Sequence, residues 1–503
     1  MVWIIEYINW RIANMRLCRK SPSSARERAI FSPGKDDEAG DIGFIVDGVG
    51  CSPADNCGCL DPTVAATAAD KTIQEKGPLE ARSSFPTQPW LLSLICCLAA
   101  LPLTSTKAEW PCYHGRDRDN LSKETGLLQS WPAEGPPLLW AAEGLGKGYS
   151  SVAIAEGRLF TAGMIDKQTY VTALDISTGK TLWQRLNGPS WEASKRQPWA
   201  VPYAGSRGTP TVEGDTVYHL SELGRLTAFD VETGQKRWHR DVLKDFQAER
   251  PKYGYSESVL VQGDLLFCCP AGDGGYIAAF EKGTGRTVWT NSDIKDAMGN
   301  ASSIIASLGG IEQVITVSAT RALSFTPEDG RLLWEHPCGN DRGNSATDVI
   351  VHNGLVYASS GYGGGSLLLR PRRQADGTFS VERIWQNDLL DNHHGGVILL
   401  DNHLYGAGHE AKGWFCLDFA TGEQQWQAAG KGSLTYADGR LYCLNERGTM
   451  HLIKASSEAW EEAGSFKVPR GGSGLYWAHP VVCGGRLYVR HGERVFAYKI
   501  DRP

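Results

Sequence analysis

Eight short stretches of this chain place polar or aromatic side chains just ahead of an apolar, strand-like run. They read GYSS, SRGT, YSES, GNASS, NSATD, HHGG, KGSLTY and YWAHP. Between them they hold Tyr149, Arg207, Tyr255, Glu257, Asn300, Asn344, Asp348, His393, His394, Lys431, Tyr436, Trp477 and His479. If the fold brings these starts to one mouth, the result is a concave centre lined by mixed polar and aromatic groups, the usual form of a binding site. The blander reading is that the same residues satisfy backbone groups where strands crowd together.

Other motifs carry less. His393, His394, His403, His409 and Glu410 are close in sequence. Their spacing matches no zinc template, and His403 and His409 fall in different turns. GYGGGS (361–366) lacks the Lys-Ser/Thr helix start of a phosphate loop and reads as a hairpin turn. The absence of any C-x-x-C-H excludes a covalent c-type haem. Cys268 and Cys269 follow GDLLF, where two strand thiols are the expected reading.

The elements that must position these residues announce themselves by repetition. LDISTGKTLW (174–183) returns as FDVETGQKRW (229–238), FEKGTGRTVW (280–289) and LDFATGEQQW (417–426), with a looser FTPEDGRLLW ending at Trp334. A fixed internal period decides the architecture before any local reading does. The second copy, with its preceding residues, divides into TPTV, TVYHLS, RLTAFD and QKRW, separated by Gly-containing turns. Four short alternating runs joined by tight turns are successive antiparallel hairpins. Four strands per repeat of forty to fifty residues is the unit of a β-propeller blade.

Within the phrase, Asp230, Thr233 and Gly234 are expected to make the hairpin between third and fourth strands. The Asp side chain can bond the turn amides, and Gly accepts the left-handed backbone. Trp238 then ends the outer strand and docks on the neighbouring blade. Trp183, Trp238, Trp289 and Trp334 close four units. A fifth ends at Trp385 after an enlarged hairpin at PRRQADGT, and a sixth at Trp426. The seventh loses the phrase, with Trp460 out of register, and the eighth has only three strands before the C-terminus. Leu138–Ala142 is the expected donor of the missing strand, pairing with RVFAYK (494–499). The predicted fold is therefore all-β: an eight-bladed β-propeller of four-stranded antiparallel blades, the last closed by an N-terminal strand. Closure removes the open edges that invite aggregation.

The net charge of −6 argues against a nucleic-acid partner. Upstream of the repeats, Leu91–Leu103 is an apolar stretch of thirteen residues, short for a membrane span, preceded by Arg82 and followed by small residues. That is the layout of a signal peptide cleaved after Ala108, which predicts export to the periplasm or beyond. Its distance from Met1 leads to a division into three. Residues 1–90 are a disordered stretch or an extension upstream of the true start, 91–108 the signal-like segment, and 109–503 the propeller. No transmembrane anchor is expected after cleavage. Seven Cys remain in 109–503, an odd number, and four sit in apolar strand-like runs, so no disulfide framework is expected.

The phrase D-x-x-T-G-x-x-x-W resembles the docking motif of the pyrroloquinoline quinone (PQQ) repeat propellers, over roughly residues 136–503. The opening EWPCYHGRDRDN is similar to the W-P-x-x-x-G leader of their secreted bacterial members. The resemblance implies the propeller fold and two functional expectations. One is a binding or scaffold protein of the cell envelope that uses its ring face on a protein or envelope ligand. The other is a PQQ-dependent dehydrogenase of alcohols or sugars. On the second, the resemblance implies PQQ and Ca²⁺, with Glu257 and Asn300 as metal ligands and Asp348 as catalytic base. Trp477 would stack on the quinone, and Tyr149, Arg207, Tyr255, Asn300, Asn344, His394, Lys431, Trp477 and His479 would line the cofactor mouth. No segment repeats the dehydrogenases' catalytic motif, and the blades lack most of the long insertions that roof the cofactor there. The family's vicinal disulfide is not matched by the context of Cys268 and Cys269.

Overall fold

A computed structural model describes residues 108–192 and 203–502. Expectations for residues 1–90 and for nearly all of the signal-like segment fall outside them. The described residues form eight antiparallel sheets, each a four-stranded blade in the predicted order. Blade 1 shows the pattern: Ala153–Ala155 innermost, then Arg158–Ile165, Gln168–Asp175 and the outer strand Thr181–Pro189. Blade 5 carries the enlarged hairpin, Gly365–Arg373 paired with Phe379–Asn387, which reaches over Gly309 of blade 4. Blade 8 is completed by Leu138–Ala142, with Leu138 opposite Tyr498 and Trp140 opposite Ala497. No helix of the described residues is long and apolar enough to cross a membrane.

The repeated phrase works as a two-part lock. Asp230 Oδ1 accepts from the Thr233 amide and hydroxyl, at 2.9 and 2.8 Å. These bonds and Arg237, whose hydrogen bond contributes most, hold its carboxyl down at about 2. Gly234 follows at φ +66°, and the strand resumes through a bulge that sets Trp238 opposite Ala228. Each docking Trp crosses to the next blade, as Trp183 does by donating to Val231 O at 2.9 Å. Its ring lies on the phrase glycine of that blade, so a Cβ on Gly234 would stand 2.6 Å from Trp183. The same seat joins Trp140 to Gly179, Trp238 to Gly285 and Trp385 to Gly422. Where blade 5 lacks the phrase, Trp334 turns back to Gln313 Oε1 of its own blade.

Blade 7 shows how the ring tolerates a missing dock. Its outer strand Glu462–Lys467 puts Gly464 opposite Leu452, where the other blades have Trp. Trp131, from the segment before the first blade, fills the place. Its ring lies 5.7 Å from Tyr442 and 5.3 Å from Phe466. The Trp–aromatic spacing in regular blades is the same, for example 5.9 Å for Phe160 and Trp183. Trp460, out of register as expected, packs instead on Trp414 and Trp426.

Residues 110–124 cross one end of the ring and plug its axis. Trp110 pairs with Ile154 of blade 1, and Pro111 O accepts from Val212 of blade 2. Arg118 donates to Ser258 O and Val259 O of blade 3 and to Ser303 O of blade 4. Asn120 O accepts from Tyr436 N, and Leu121–Ser122 adds a short parallel strand to the inner edge of blade 7. Gly484 and Gly485 of blade 8 donate to Glu124. All seven cysteines of the described residues are buried and unpaired, Cys268, Cys416, Cys443 and Cys483 within the apolar runs in which they were expected as buried hydrophobes.

Candidate functional site

Neighbouring strands of a blade run in opposite directions. The connections into each inner strand and the turns between second and third strands therefore share one face of the ring. On that face, above the plug, lies an axial pocket of about 440 Å³. The connections contribute Tyr149, Arg207, Asn300, Asn344, His393, His394, Lys431, Trp477 and His479, nine of the residues singled out in the sequence. They also bring Tyr203 and Tyr253. The second-to-third turns add Tyr362, His409 and Glu446, and the plug supplies Tyr113 as part of the floor.

Four expectations need correction. Tyr436 lies in the innermost strand of blade 7, opposite Leu121 of the plug, and does not line the pocket. Tyr255 does not reach the pocket: it is fully buried among blade 2 and 3 side chains, and its hydroxyl donates to Pro270 O at 2.7 Å. Glu257 is also fully buried, with Oε2 accepting from the Cys269 amide at 2.9 Å. Asp348 lies beyond the plug, lining a separate cavity of about 660 Å³ with His114 and Arg118. Burial pushes the Glu257 and Asp348 carboxyls up to about 7.

The wall is a continuous aromatic and imidazole surface. Tyr203 and Trp477 stack with centroids 5.2 Å apart and planes within 5°. Trp477 also meets Tyr149 at 5.1 Å and His394 at 4.6 Å. His393 contacts His394 at 4.6 Å and His409 at 4.5 Å, with Tyr362 edge-on to both His393 and His409. Lys431 Nζ donates to His409 Nδ1 at 2.5 Å and stands 3.4 Å from His393 Nδ1. Glu446 answers with Oε1 accepting from the Trp477 indole at 2.8 Å, 3.3 Å from Lys431 Nζ. Burial opposes its charge, but His394, Lys431 and Trp477 together hold its carboxyl at about 2. Burial lowers the basicity of His393, His394 and His409, reinforced by the Lys431 cation.

Beneath the floor runs a buried chain of hydrogen-bonding groups. His479 Nε2 lies 2.6 Å from His394 O and 3.0 Å from Tyr113 Oη. A carbonyl can only accept, so Nε2 carries the proton and Nδ1 accepts from His114 Nε2 at 2.9 Å. His114 Nδ1 is then an acceptor facing Asp348 Oδ2 at 3.6 Å. This arrangement suits a protonated Asp348, not an ion pair, because burial also keeps both imidazoles neutral, His479 at about 4. Asp348 is thus tied to the pocket through the plug and not exposed in it.

The Ca²⁺–quinone expectation can be tested on this donor set. Ca²⁺ takes six to eight oxygen ligands, with carboxylates prominent. The one carboxylate lining this pocket, Glu446, is committed to an indole and a lysine. The Asn300 amide donates to Asn344 Oδ1 at 2.9 Å, while Glu257 and Asp348 stand outside. Among the described residues no group of three His, Cys, Asp or Glu is arranged to hold a metal ion. The pocket does not fit a Ca²⁺-bound PQQ.

Comparison with known proteins places the chain. The family model described as outer membrane protein assembly factor BamB matches residues 121–252 and 167–428. The quinoprotein alcohol dehydrogenase PedH of Pseudomonas putida is 24% identical over 177 residues, 32% of this chain and 27% of that protein. BamB of Salmonella typhimurium is 27% identical over 152 residues, 29% of this chain and 33% of that protein. The chain thus spans a third or less of the length of either curated relative, 33% and 27%. The crystal structure of BamB from Moraxella catarrhalis superposes with a TM-score of 0.52 at 13% identity, covering 72% of this chain and 99% of that one. The quinohemoprotein alcohol dehydrogenase of Comamonas testosteroni gives 0.53 at 11% identity, covering 78% and 80%. These structural likenesses show a shared fold. With the family model matching most of the chain and the docking phrase repeated around a closed ring, this protein belongs to the PQQ-like β-propeller family.

Proposed function

We propose that this chain is an exported binding protein of the cell envelope, periplasmic or extracellular, that holds its ligand at the axial pocket of the ring face. In this reading 91–108 is the cleaved export signal, 1–90 lies outside the mature protein, and 109–503 is the working domain. The observation that carries the proposal is the pocket itself. It is concave, aromatic-walled and polar, yet its only carboxylate is already engaged. Such a lining suits recognition of a ligand more than oxidation of an alcohol through a metal-bound quinone. The relationship to assembly factor BamB supports the same class, because that protein is named for assembly and not for catalysis.

The test is titration of the purified protein with PQQ and Ca²⁺, followed by quinone absorbance and by dye reduction with simple alcohols and sugars. No saturable uptake and no turnover are expected. Micromolar quinone binding with dye reduction would establish the dehydrogenase alternative instead. Fractionation of producing cells should recover a chain beginning near Glu109 in the periplasm or medium; a cytoplasmic product starting at Met1 would refute export.

A further inference from the structure

We infer that the ligand of the axial pocket is an anionic saccharide, a sugar bearing a carboxylate, and that its binding draws a proton into the histidine cluster. This rests on the binding-protein reading above and names the chemistry of its ligand.

Charge is the first observation. Arg207 and Lys431 enter the pocket from the joint between the first and second blades and from the joint between the sixth and seventh. Glu446 is the sole lining carboxylate. Arg207 makes no ion pair among the described residues; its guanidinium donates to Gly205 O and Tyr203 O and lies over the Trp191 ring at 5.0 Å. The guanidinium has no carboxylate of the described residues within ion-pair distance; only Glu222, whose Oε1 accepts from the Arg207 backbone amide, offsets its charge from farther away. Burial alone disfavours that charge, so an incoming anion gains what the protein leaves unpaired.

Surface chemistry is the second. The stacked Tyr203 and Trp477 offer flat apolar faces of the kind on which the C–H face of a sugar ring packs. Around them stand tyrosine hydroxyls and the Asn300 and Asn344 amides, and Asn300 Oδ1 is buried without a hydrogen-bond partner. Hydroxyl and amide groups both donate and accept, which matches sugar hydroxyls that do the same. A purely aromatic acid would leave the buried Asn300 Oδ1 acceptor unsatisfied.

The third observation is the linkage to protons. His393, His394 and His409 pack on one another beside Lys431, so bringing a proton to any of them without a counter-charge is opposed. The groups facing them are Lys431, Glu446, Tyr362 and Trp477, with Glu410 3.6 Å from His409 and Asp391 bonded to the His409 backbone. A carboxylate placed against Lys431 reverses the balance and stabilises imidazolium. Uptake of up to one proton per ligand is expected near neutral pH.

The experiment is calorimetric titration of the wild-type protein with digalacturonate, its dimethyl ester and lactose, at pH 7 in phosphate and in Tris. We expect the acid to bind at least tenfold more tightly than the ester, and a buffer-dependent enthalpy that reports proton uptake. Lys431→Met and His409→Gln, checked for a native far-UV spectrum, should lower affinity for the acid by a larger factor than affinity for the ester. Equal binding of acid and ester would overturn the anionic assignment and leave the binding-protein reading in place. Failure of all three sugars would overturn the saccharide assignment. Saturable PQQ and Ca²⁺ binding would instead bring down the reading beneath it.

Discussion

Replacing Gly234 by alanine isolates the seat of the docking tryptophan, because Gly214 in the same blade supplies a matched control. Both glycines have left-handed backbones, at φ +66° and +56°. Alanine at either position bears about 1–2 kcal/mol of conformational cost, partly offset by about 0.4–1 kcal/mol from a more restricted unfolded chain. Gly214 has nothing within 4 Å of a new Cβ. At Gly234 the Cβ would lie 2.6 Å from Trp183 Cδ2 and 2.7 Å from Cε3. Trp183 cannot easily retreat, since it is 4% exposed, hydrogen-bonded to Val231 O and packed on Phe160. Overpacking of that kind adds about 1–3 kcal/mol. The expected losses are therefore about 1 kcal/mol for Gly214→Ala and about 2–4 kcal/mol for Gly234→Ala, read as urea midpoints by circular dichroism. In a Trp183→Ala background most of the excess at Gly234 should vanish, leaving only the contact with Arg185 Cγ at 2.9 Å. Equal midpoints for the two glycine variants, or an excess that survives removal of Trp183 undiminished, would refute the lock.

Three further outcomes are expected. Trp131→Ala should cost about 3–5 kcal/mol, as for other buried aromatics, with hydrogen-exchange protection lost in Glu462–Lys467 of blade 7; loss confined to residues 109–135 would contradict its role as substitute dock. Deleting 109–142 should lower and broaden the melt of the whole ring, because it removes both the plug and the outer strand of blade 8, and an unchanged melt would disprove closure. Glu257 and Asp348 keep their protons in the fold up to about pH 7, while the unfolded chain releases them near pH 4. The folded state thus binds more protons across that interval, so their contribution makes stability fall as pH rises from about 4 to 7. Glu257→Gln with Asp348→Asn should flatten the slope, and an unaltered pH profile would show that the two carboxyls are not held protonated.

The ring was readable because its signals are local and repeated. A turn glycine and a Trp at fixed offset report the same geometry in successive blades, and the three-strand count of the last blade pointed to Leu138–Ala142. The pocket was readable in part for the same reason. Residues in the connections to inner strands, such as Trp477 and Lys431, sit at a position that the repeat defines. Tyr362, His409 and Glu446 lie in second-to-third turns and not at inner-strand starts, so the repeat position that marks Trp477 and Lys431 does not mark them. The alternation of strand direction sends the second-to-third turns to the same face, and that signal was available. Tyr113 and Trp131 had no such marker, since nothing local says that a leader segment threads the axis or replaces a dock some 300 residues away, as the 314-residue separation of Asn120 from Leu434 illustrates. Glu257 and Asp348 carried the right chemistry for a metal site but the wrong depth, and depth depends on packing between blades.

The plug makes the pocket a late product of synthesis. Tyr113 belongs to the first part of the propeller to leave the ribosome, whereas its neighbour His479 belongs to the last. The segment holding Asn120, Trp131 and Trp140 must wait, with its apolar surface uncovered, until blades 7 and 8 exist to receive it. Contacts so distant in sequence slow folding. They also couple ligand competence to completeness. A chain cut short before blade 8 lacks His479 and Trp477, loses the hold of Glu124 on that blade, and so lacks part of the pocket's wall and floor.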